Sequence, residues 1–466
     1  MHTSLKKTPG GQPWIILGIV MLCLIIGAAI PLIAGIAGNQ PSRLIALPAL
    51  LLFVMVFLYD YKKSLILILL LRSVGDIVLE SAQFGIGNFH MGIGGLINLA
   101  VIMIACLLVL EKPALFPGRL ARYWVPILLM MGVGLVTSYE IAGAIKVFLG
   151  MLSYFAIFVI AVYTVRSNDD FNKAIRLVVW SSLIPTLYSI IDVALHMRDS
   201  GFRLKSTFAH ANILAFYLML MLVLCLYMLK SRLYRLTPRG RILICCYMPF
   251  LLGQMLLTQT RSAWFASFIV FASYAILFER KYLWYLLLLP LVAILIPAVH
   301  DRLMDLGEGG EVVRYAQLNS FAWRLVLWKA AINWMEPLRL IYGYGLTAFS
   351  HFTPIFFELD KVTNFDAHNV YVQFLFEIGV VGLLGYVWLY FRVTLSIRSL
   401  LHFDPISGFL MLAIVLQYLL VSFSDNMYRY LVFNWYFWFI MGGACALSNL
   451  QAQTMRLSAG SATWSG

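Results

Sequence analysis

The segment FDAHNVYVQFLFEIGVVGLLG, residues 365–385, places a histidine and an asparagine directly before a long apolar run. Inside the run, Asn369, Gln373 and Glu377 recur every four residues and therefore share one face of a predicted helix. Lipid does not tolerate such a polar stripe, so we expect this face to point into a helix bundle. Histidine titrates near neutral pH, which makes His368 a candidate general base. The alternative is a histidine that only packs the segment in place.

Basic side chains stand near the ends of several other apolar runs. An arginine at such a turn can extend its guanidinium to the lipid headgroups. Taken together, however, these residues predict a basic cavity, because guanidinium groups match pairs of phosphate oxygens. The expected ligand is a phosphorylated, lipid-linked substrate. The residues are Arg203, Lys205 and His210 in FRLKSTFAH, Arg261 in LLTQTRSAWFA, Arg324 in SFAWRLVLW, and Arg429 after SFSDNMY.

The composition indicates what kind of protein holds these residues. The 466 residues are 62% hydrophobic and 12% charged, whereas soluble domains are about 45–50% apolar and about 25% charged. The apolar runs are about 17 to 24 residues long, which is typical of spanning helices and too long for the strands of a membrane barrel. The sequence therefore predicts an all-α polytopic membrane protein with about fourteen transmembrane helices. They are expected at 14–36, 43–59, 63–80, 93–110, 123–138, 144–165, 174–195, 211–229, 242–259, 262–279, 282–299, 369–391, 406–424 and 430–449.

The distribution of basic residues predicts the orientation. Cytoplasmic loops collect lysine and arginine, and 20 of the 34 basic residues fall on one side, most densely in KSRLYRLTPRGR. Both termini are then cytoplasmic, and the long polar stretch 300–368 lies outside, in the periplasm of a Gram-negative cell. The net charge of +13 is mostly this insertion signal, and its spread over many loops argues against nucleic acid as a partner. The six cysteines lie in apolar runs, and no pattern resembles a metal site.

The long external loop 300–368 is predicted to contain an amphipathic helix that lies on the membrane or over the cavity. Pro337 ends this helix, and the YGYG segment after it forms a turn. Glycines in the following run allow close approach of a neighbouring helix. The apolar row of the loop helix is Phe321, Leu325, Trp328, Ile332 and Met335, and the glycines are Gly379, Gly382 and Gly385.

Four motifs in this order resemble the bacterial O-antigen ligase and Wzy-type polysaccharide polymerase family, over residues 205–392. They are STFAHAN, TQTRSAW, WRLVLW followed by YGYG, and AHNVYVQFLFEIGVVGLLG. The resemblance implies a GT-C-like membrane glycosyltransferase that needs no metal or other cofactor and uses a saccharide on undecaprenyl pyrophosphate. It also implies that the family's essential histidine is His368 and that its essential arginines are Arg261 and Arg324, which bind the pyrophosphate. Residues 1–204 are then N-terminal transmembrane helices, 205–449 the ligase- or polymerase-like core, and 450–466 a cytoplasmic tail.

Three functions stay open at this point. A polymerase of exopolysaccharide or O-antigen repeat units is favoured, because fourteen spans suit that subgroup better than the ligases. The alternatives are a ligase that transfers glycan to lipid A core, and a flippase or other transporter, which would also use a basic cavity. The resemblance implies a bacterial inner-membrane protein whose partners are membrane lipids, a flippase and a chain-length regulator. Weaker candidates for the cavity are Arg203, Lys205, His210, Asn369, Gln373 and Arg429.

Overall fold

The computed structural model of the chain describes residues 55–76, 83–86, 89–199, 201–295, 299–300, 304 and 320–462. The chain divides into two compact units. The first comprises residues 1–64 and 77–96 and includes a short antiparallel hairpin, in which β1 (Gln83–Ile86) pairs with β2 (Phe89–Gly92). The second comprises residues 65–76 and 97–466 and contains every candidate site residue named above. The predicted domain boundary at residues 204–205 stays a prediction.

The described chain is otherwise helical. The helices are α1 (Tyr61–Leu71), α2 (Ile93–Glu111), α3 (Gly118–Ala121), α4 (Val125–Val136), α5 (Ile141–Thr164), α6 (Asn168–Ser181), α7 (Leu183–His196), α8 (Ala211–Lys230), α9 (Pro238–Leu257), α10 (Arg261–Leu277), α11 (Tyr282–Ala293), α12 (Ser320–Trp334), α13 (Arg339–Tyr342), α14 (Ala348–Phe356), α15 (Val370–Ile397), α16 (Leu400–Phe403), α17 (Pro405–Val421) and α18 (Leu431–Ala462). Single 3-10 turns occupy Pro113–Leu115 and Met427–Arg429.

Within the described ranges, seven segments are long and apolar enough to cross a membrane. They are Gly94–Glu111, Ile141–Thr164, Asn168–His196, Ala211–Lys230, Pro238–Leu257, Val370–Phe403 and Leu431–Thr454, and three shorter apolar helices are α4, α10 and α17. These segments indicate a multi-pass membrane protein. The predicted number of fourteen spans is not reached in this part of the chain. Of the predicted spans, 14–36 and most of 43–59 lie outside the described residues, as do 296–298 of the span at 282–299.

Residues 77–80 of the predicted span at 63–80 also lie outside the described residues. In the described part, helix α1 has 11 residues and ends at Leu71, directly before Arg72. The Arg72 guanidinium forms a buried ion pair of 3.2 Å with Asp76 and lies over the ring of Trp435, 5.6 Å from its centre. A buried charge needs such a partner, and the chain leaves the helix where the pair forms.

Helix α12, which lies in the predicted long loop 300–368, has two apolar rows, whereas the sequence predicts one. Trp328 packs inward and donates its ring N–H to the carbonyl oxygen of Ala367 at 2.6 Å. Phe321, Leu325 and Ile332, in contrast, are exposed. The row that the sequence analysis missed is formed by Leu327 and Ala331, both fully buried, and continues to Met335 just beyond the helix.

The YGYG segment is built into a break in α15. At Gly379 the backbone leaves the helical conformation, with φ of 69° and ψ of −177°. The N–H groups of Tyr344 and Gly345 donate to the carbonyl oxygens of Phe376 and Glu377, both at 2.9 Å. Because Gly343 lies directly against this backbone, a Cβ atom there would come within 2.3 Å of the Glu377 carbonyl.

Gly382 and Gly385, the other two glycines predicted to allow close approach of a helix, differ from each other in their surroundings. A Cβ atom on Gly385 would lie 3.1 Å from the backbone nitrogen of Ile127 in α4, so α4 and α15 approach closely there, as predicted. For a Cβ atom on Gly382, the three nearest atoms all belong to the side chain of Ile378 in its own helix. Close packing at Gly379 thus holds the break of α15, and close packing at Gly385 holds the half of α15 beyond the break against α4.

Candidate functional site

A cavity of about 260 Å³ brings together three of the arginines singled out in the sequence. Arg203 comes from the segment before α8, Arg261 from the first residue of α10, and Arg324 from the second turn of α12. Among the described residues, the lining holds these three guanidinium groups and no carboxylate. The lining residues are Arg203, Asn212, Gln259, Thr260, Arg261, Ser262, Ser320, Phe321, Arg324 and Ser424.

The turn between α9 and α10 positions two of these arginines. Gln259 adopts a left-handed backbone conformation with φ of 54°, which is uncommon for a residue with a side chain. Its side-chain amide donates to the carbonyl oxygen of Phe202 at 2.8 Å, and the N–H of Leu204 donates to the carbonyl oxygen of Leu257 at 3.0 Å. The segment that carries Arg203 is thereby fastened to the turn that carries Arg261.

Neutral groups orient the guanidinium groups. Arg203 donates to the carbonyl oxygen of Thr258 at 2.9 Å, to Asn212 Oδ1 at 2.7 Å and to Thr260 Oγ1 at 3.1 Å. Arg261 donates from Nη2 to Ser320 Oγ at 2.9 Å, which connects α10 to α12. These hydrogen bonds fix the planes of two guanidinium groups that line the cavity, and paired guanidinium N–H groups match the oxygens of an anionic ligand.

His368 lies beside a buried carboxylate. Its side chain is 41% exposed, and Nδ1 is 3.8 Å from Oδ1 of Asp425, whose side chain is 2% exposed. Asp425 Oδ1 also accepts from the hydroxyl of Tyr430 at 2.5 Å, and Oδ2 accepts from the amide of Asn212 at 2.6 Å. Burial alone would raise the pKa of Asp425, but the interactions with His368, Tyr430 and Asn212 lower it below its usual value. The carboxylate of Asp425 thus lies where it can orient the imidazole of His368, the candidate general base.

The backbone around His368 is held on both sides. His368 itself has a left-handed conformation, with φ of 48°. The N–H of Ala367 donates to Gln373 Oε1 at 2.8 Å, and the N–H of Asn369 donates to Asn426 Oδ1 at 3.1 Å. Asn426 also donates its side-chain amide to Gln373 Oε1 at 3.1 Å. Strained backbone of this kind persists only where its surroundings enforce it.

Two residues of the polar stripe, Asn369 and Gln373, form hydrogen bonds near His368. Asn369 is the N-cap of the helix and accepts from the N–H groups of Tyr371 and Val372. Gln373 is fully buried and donates to Glu377 Oε1 at 2.6 Å. Both residues point into the bundle, and their hydrogen bonds support the loop around His368 rather than line the arginine cavity.

Three of the weaker candidates lie away from the cavity lining. Arg429 is paired with Asp366 at 2.7 Å and approaches Glu377 at 3.8 Å, so its charge is balanced inside the protein. Lys205 is exposed. His210 is the N-cap of α8, where its Nδ1 accepts from the N–H of Asn212. Burial, together with the charge of Arg203, lowers the pKa of the His210 imidazole.

Asp425 and Asn212 were missed in the sequence analysis, although both stand in motifs quoted there. Asn212 is the last residue of STFAHAN, and Asp425 follows the serine of SFSDNMY. The available signal was a polar residue at the end of an apolar run, the same signal that identified His368.

A protein-family model described as O-antigen ligase matches residues 246–387, a stretch that includes Arg261, Arg324 and His368. No curated protein matches the chain. The match suggests a membrane enzyme that processes glycans. The resemblance inferred from the four motifs is thus confirmed over residues 246–387, which are similar to the O-antigen ligase family.

Proposed function

We propose that the protein is a glycosyltransferase of the bacterial inner membrane that polymerises exopolysaccharide or O-antigen repeat units. The donor is a saccharide on undecaprenyl pyrophosphate, and the acceptor is a sugar hydroxyl. The observation that carries the proposal is the hydrogen-bonded path from the basic cavity to the candidate base. It runs from Arg203 through Asn212 to Asp425, which contacts His368.

In the proposed reaction, His368 accepts the proton of the acceptor hydroxyl as its oxygen attacks the anomeric carbon. The bond from that carbon to the pyrophosphate oxygen breaks, and the electron pair leaves with the pyrophosphate. Attack from the side opposite the leaving group inverts the anomeric centre. Arg203, Arg261 and Arg324 stabilise the charge that develops on the pyrophosphate, since preorganised cationic donors act most strongly where charge appears.

The proposed site faces the periplasm, and the distribution of basic residues supports this orientation. In a cysteine-free variant, a cysteine at Val362 is expected to react with an impermeant thiol reagent once the outer membrane is permeabilised. Val362 suits this experiment because it is 88% exposed, in the loop before His368. A cysteine at Arg235 is expected to react only after lysis, and the reverse labelling pattern would contradict the proposed orientation.

The function itself is tested with purified protein in lipid nanodiscs and a lipid-linked repeat unit, without ATP or an ion gradient. A ladder of longer lipid-linked glycans is the expected product. A ligase is the second candidate, because the matching family model is described as O-antigen ligase. Transfer of glycan to added lipid A core, with no ladder, would establish the ligase instead. Translocation without a new glycosidic bond would identify a transporter and refute both proposals.

His368 provides the sharpest single variant. His368→Gln keeps a hydrogen-bonding side chain but removes the base. Donor binding is expected to persist, while turnover falls by about 10²–10⁴, the usual scale of general acid–base catalysis. Both quantities are measured on the same folded preparation. Turnover close to that of the wild type would show that His368 only packs the loop.

A further inference from the structure

An apolar groove of about 430 Å³ lies between α4 and the second half of α15, away from the arginine cavity. Its floor is at Gly385, where the two helices approach closely. Its walls include Leu384, Trp388 and Phe391, each at least 40% exposed. The lining residues are Pro126, Val381, Leu384, Gly385, Val387, Trp388 and Phe391. Because α15 belongs to a candidate membrane span, the neighbours of this groove in a bilayer are hydrocarbon chains.

The groove ends at an arginine held between two rings. The guanidinium carbon of Arg392 is 4.8 Å from the ring centre of Tyr123 and 4.9 Å from that of Trp388. The second ring also lines the groove. Stacking of this kind fixes the plane of the guanidinium and directs its N–H edge.

Arg392 lacks an anionic partner within the described chain. Its Nε is buried and has no hydrogen-bond acceptor there, and no described carboxylate lies within 4 Å of the guanidinium. Buried N–H groups in proteins nearly always have an acceptor, and a charged one without a partner is costly. The missing acceptor therefore points to a ligand, and the charge of Arg392 requires that ligand to be an anion.

The position of Arg392 along α15 identifies the leaflet. Arg392 stands 13 residues beyond the break at Gly379, near the C-terminal end of α15 at Ile397. In the proposed orientation, the cytoplasmic ends of helices collect lysine and arginine, so this end of α15 lies at the cytoplasmic interface. The groove then extends from this interface along the second half of α15.

We propose that this groove binds one acyl chain of an anionic phospholipid, whose phosphate oxygen accepts the Nε–H of Arg392. Basic pockets between transmembrane helices bind such headgroups, because the phosphate provides both the negative charge and the acceptor. The proposal is independent of the proposed reaction, since the groove and Arg392 lie outside the arginine cavity and take no part in the transfer.

The test uses native mass spectrometry of the purified full-length protein, titrated with phosphatidylglycerol or phosphatidylcholine. The wild type is expected to retain phosphatidylglycerol preferentially. Arg392→Gln is expected to lower this preference on the order of tenfold, which corresponds to the loss of one charged hydrogen bond. Arg398→Gln is the matched control: it removes one positive charge at the end of the same helix, but this side chain neither stacks on the two rings nor borders the groove.

Each result bears on the proposal. Equal retention of the two lipids by the wild type would overturn it, whatever the variants do. So would an equal loss of preference in Arg392→Gln and Arg398→Gln, because the preference would then come from diffuse surface charge. Val387→Trp fills the groove and leaves Arg392 in place, so it is expected to lose bound phosphatidylglycerol as well. Unchanged binding in a folded Val387→Trp protein would contradict the assignment of the groove.

Discussion

Asn212 donates its side-chain amide to Asp425 Oδ2 at 2.6 Å, and the oxygen of the same amide accepts from Arg203 at 2.7 Å. A neutral amide therefore connects a carboxylate with a guanidinium. In the proposed reaction this amide has two roles. It orients Asp425, which lies beside His368, and it orients Arg203 at the lining of the cavity.

We predict that Asn212→Asp impairs both the binding of the donor at Arg203 and the orientation of Asp425 beside His368. The new carboxylate would pair with Arg203, so donor affinity is expected to fall on the order of tenfold. It would also place a second carboxylate beside Asp425, and the repulsion between the two would move Asp425 away from His368, so turnover is expected to fall as well. Isothermal titration with donor and a turnover assay check the two effects, and unchanged turnover with normal affinity would contradict the connecting role of Asn212.

Substitution of Arg261 or Arg324, which line the cavity, is expected to lower turnover more than substitution of a nearby basic residue that does not line it. Arg261→Ala and Arg324→Ala should each lower turnover by about 10²–10³, the usual effect of removing a preorganised donor. Lysine in either position should restore only part of the rate, because it keeps the charge but loses the paired geometry. Lys205→Ala is the control, since Lys205 is exposed and does not line the cavity. Equal rates in all these variants would show that the cavity does not bind the pyrophosphate.

Asp425→Asn is expected to lower the rate, because it removes the carboxylate that lies 3.8 Å from His368 Nδ1. Stability gives a second measurement. The folded-state pKa of Asp425 lies below its usual value of 3.8. The ionised carboxylate therefore stabilises the folded protein above this usual value, and the contribution is lost as the pH falls through the folded-state pKa. Thermal unfolding from pH 7 to pH 3 should show a smaller loss of Tm for Asp425→Asn than for the wild type. Parallel curves would mean that Asp425 is not the stabilising group.

The break in α15 predicts a strong effect of a single methyl group. In Gly379→Ala, the Cβ atom would lie 2.2 Å from the carbonyl oxygen of Ile341, at a φ of 69°. The backbone strain alone costs about 1–3 kcal/mol, and the clash adds to it. Gly253→Ala in α9 is the control, because nothing lies within 4 Å of its Cβ position and alanine favours a helix. Tm should fall only in the first variant, and equal Tm values would refute the tight contact.

The sequence alone was sufficient to identify residues near which the chain changes from an apolar run to a loop. His368, Arg261 and Arg203 stand at such points, and the structure places the two arginines at one cavity. Arg429 has the same local pattern, but its partner Asp366 is 63 residues away in the chain. Charge and position do not predict that pairing, because it depends on how the loop before α15 folds back.

Two other features of the site depend on contacts between residues that are far apart in the chain or on tertiary hydrogen bonds, so the sequence did not predict them. The contact of Asn212 with Asp425 joins residues 213 positions apart, which no local pattern predicts. The left-handed conformation of His368 is imposed by hydrogen bonds from its neighbours to Gln373 and Asn426, so it is a tertiary property. For α12, the apolar residues occur all round the helix, and periodicity alone did not decide which row is buried.

The insertion of YGYG into α15 also affects the order in which the chain can assemble. The break frees the carbonyl oxygens of Phe376 and Glu377, and lipid offers them no hydrogen-bond donor. Their donors, Tyr344 and Gly345, precede α15 in the chain and are therefore synthesised first. We therefore expect the loop and the first half of α15 to fold together. In chimaeras between related proteins, residues 341–345 and 376–379 should be exchanged together, because each without the other leaves backbone groups unpaired within the membrane.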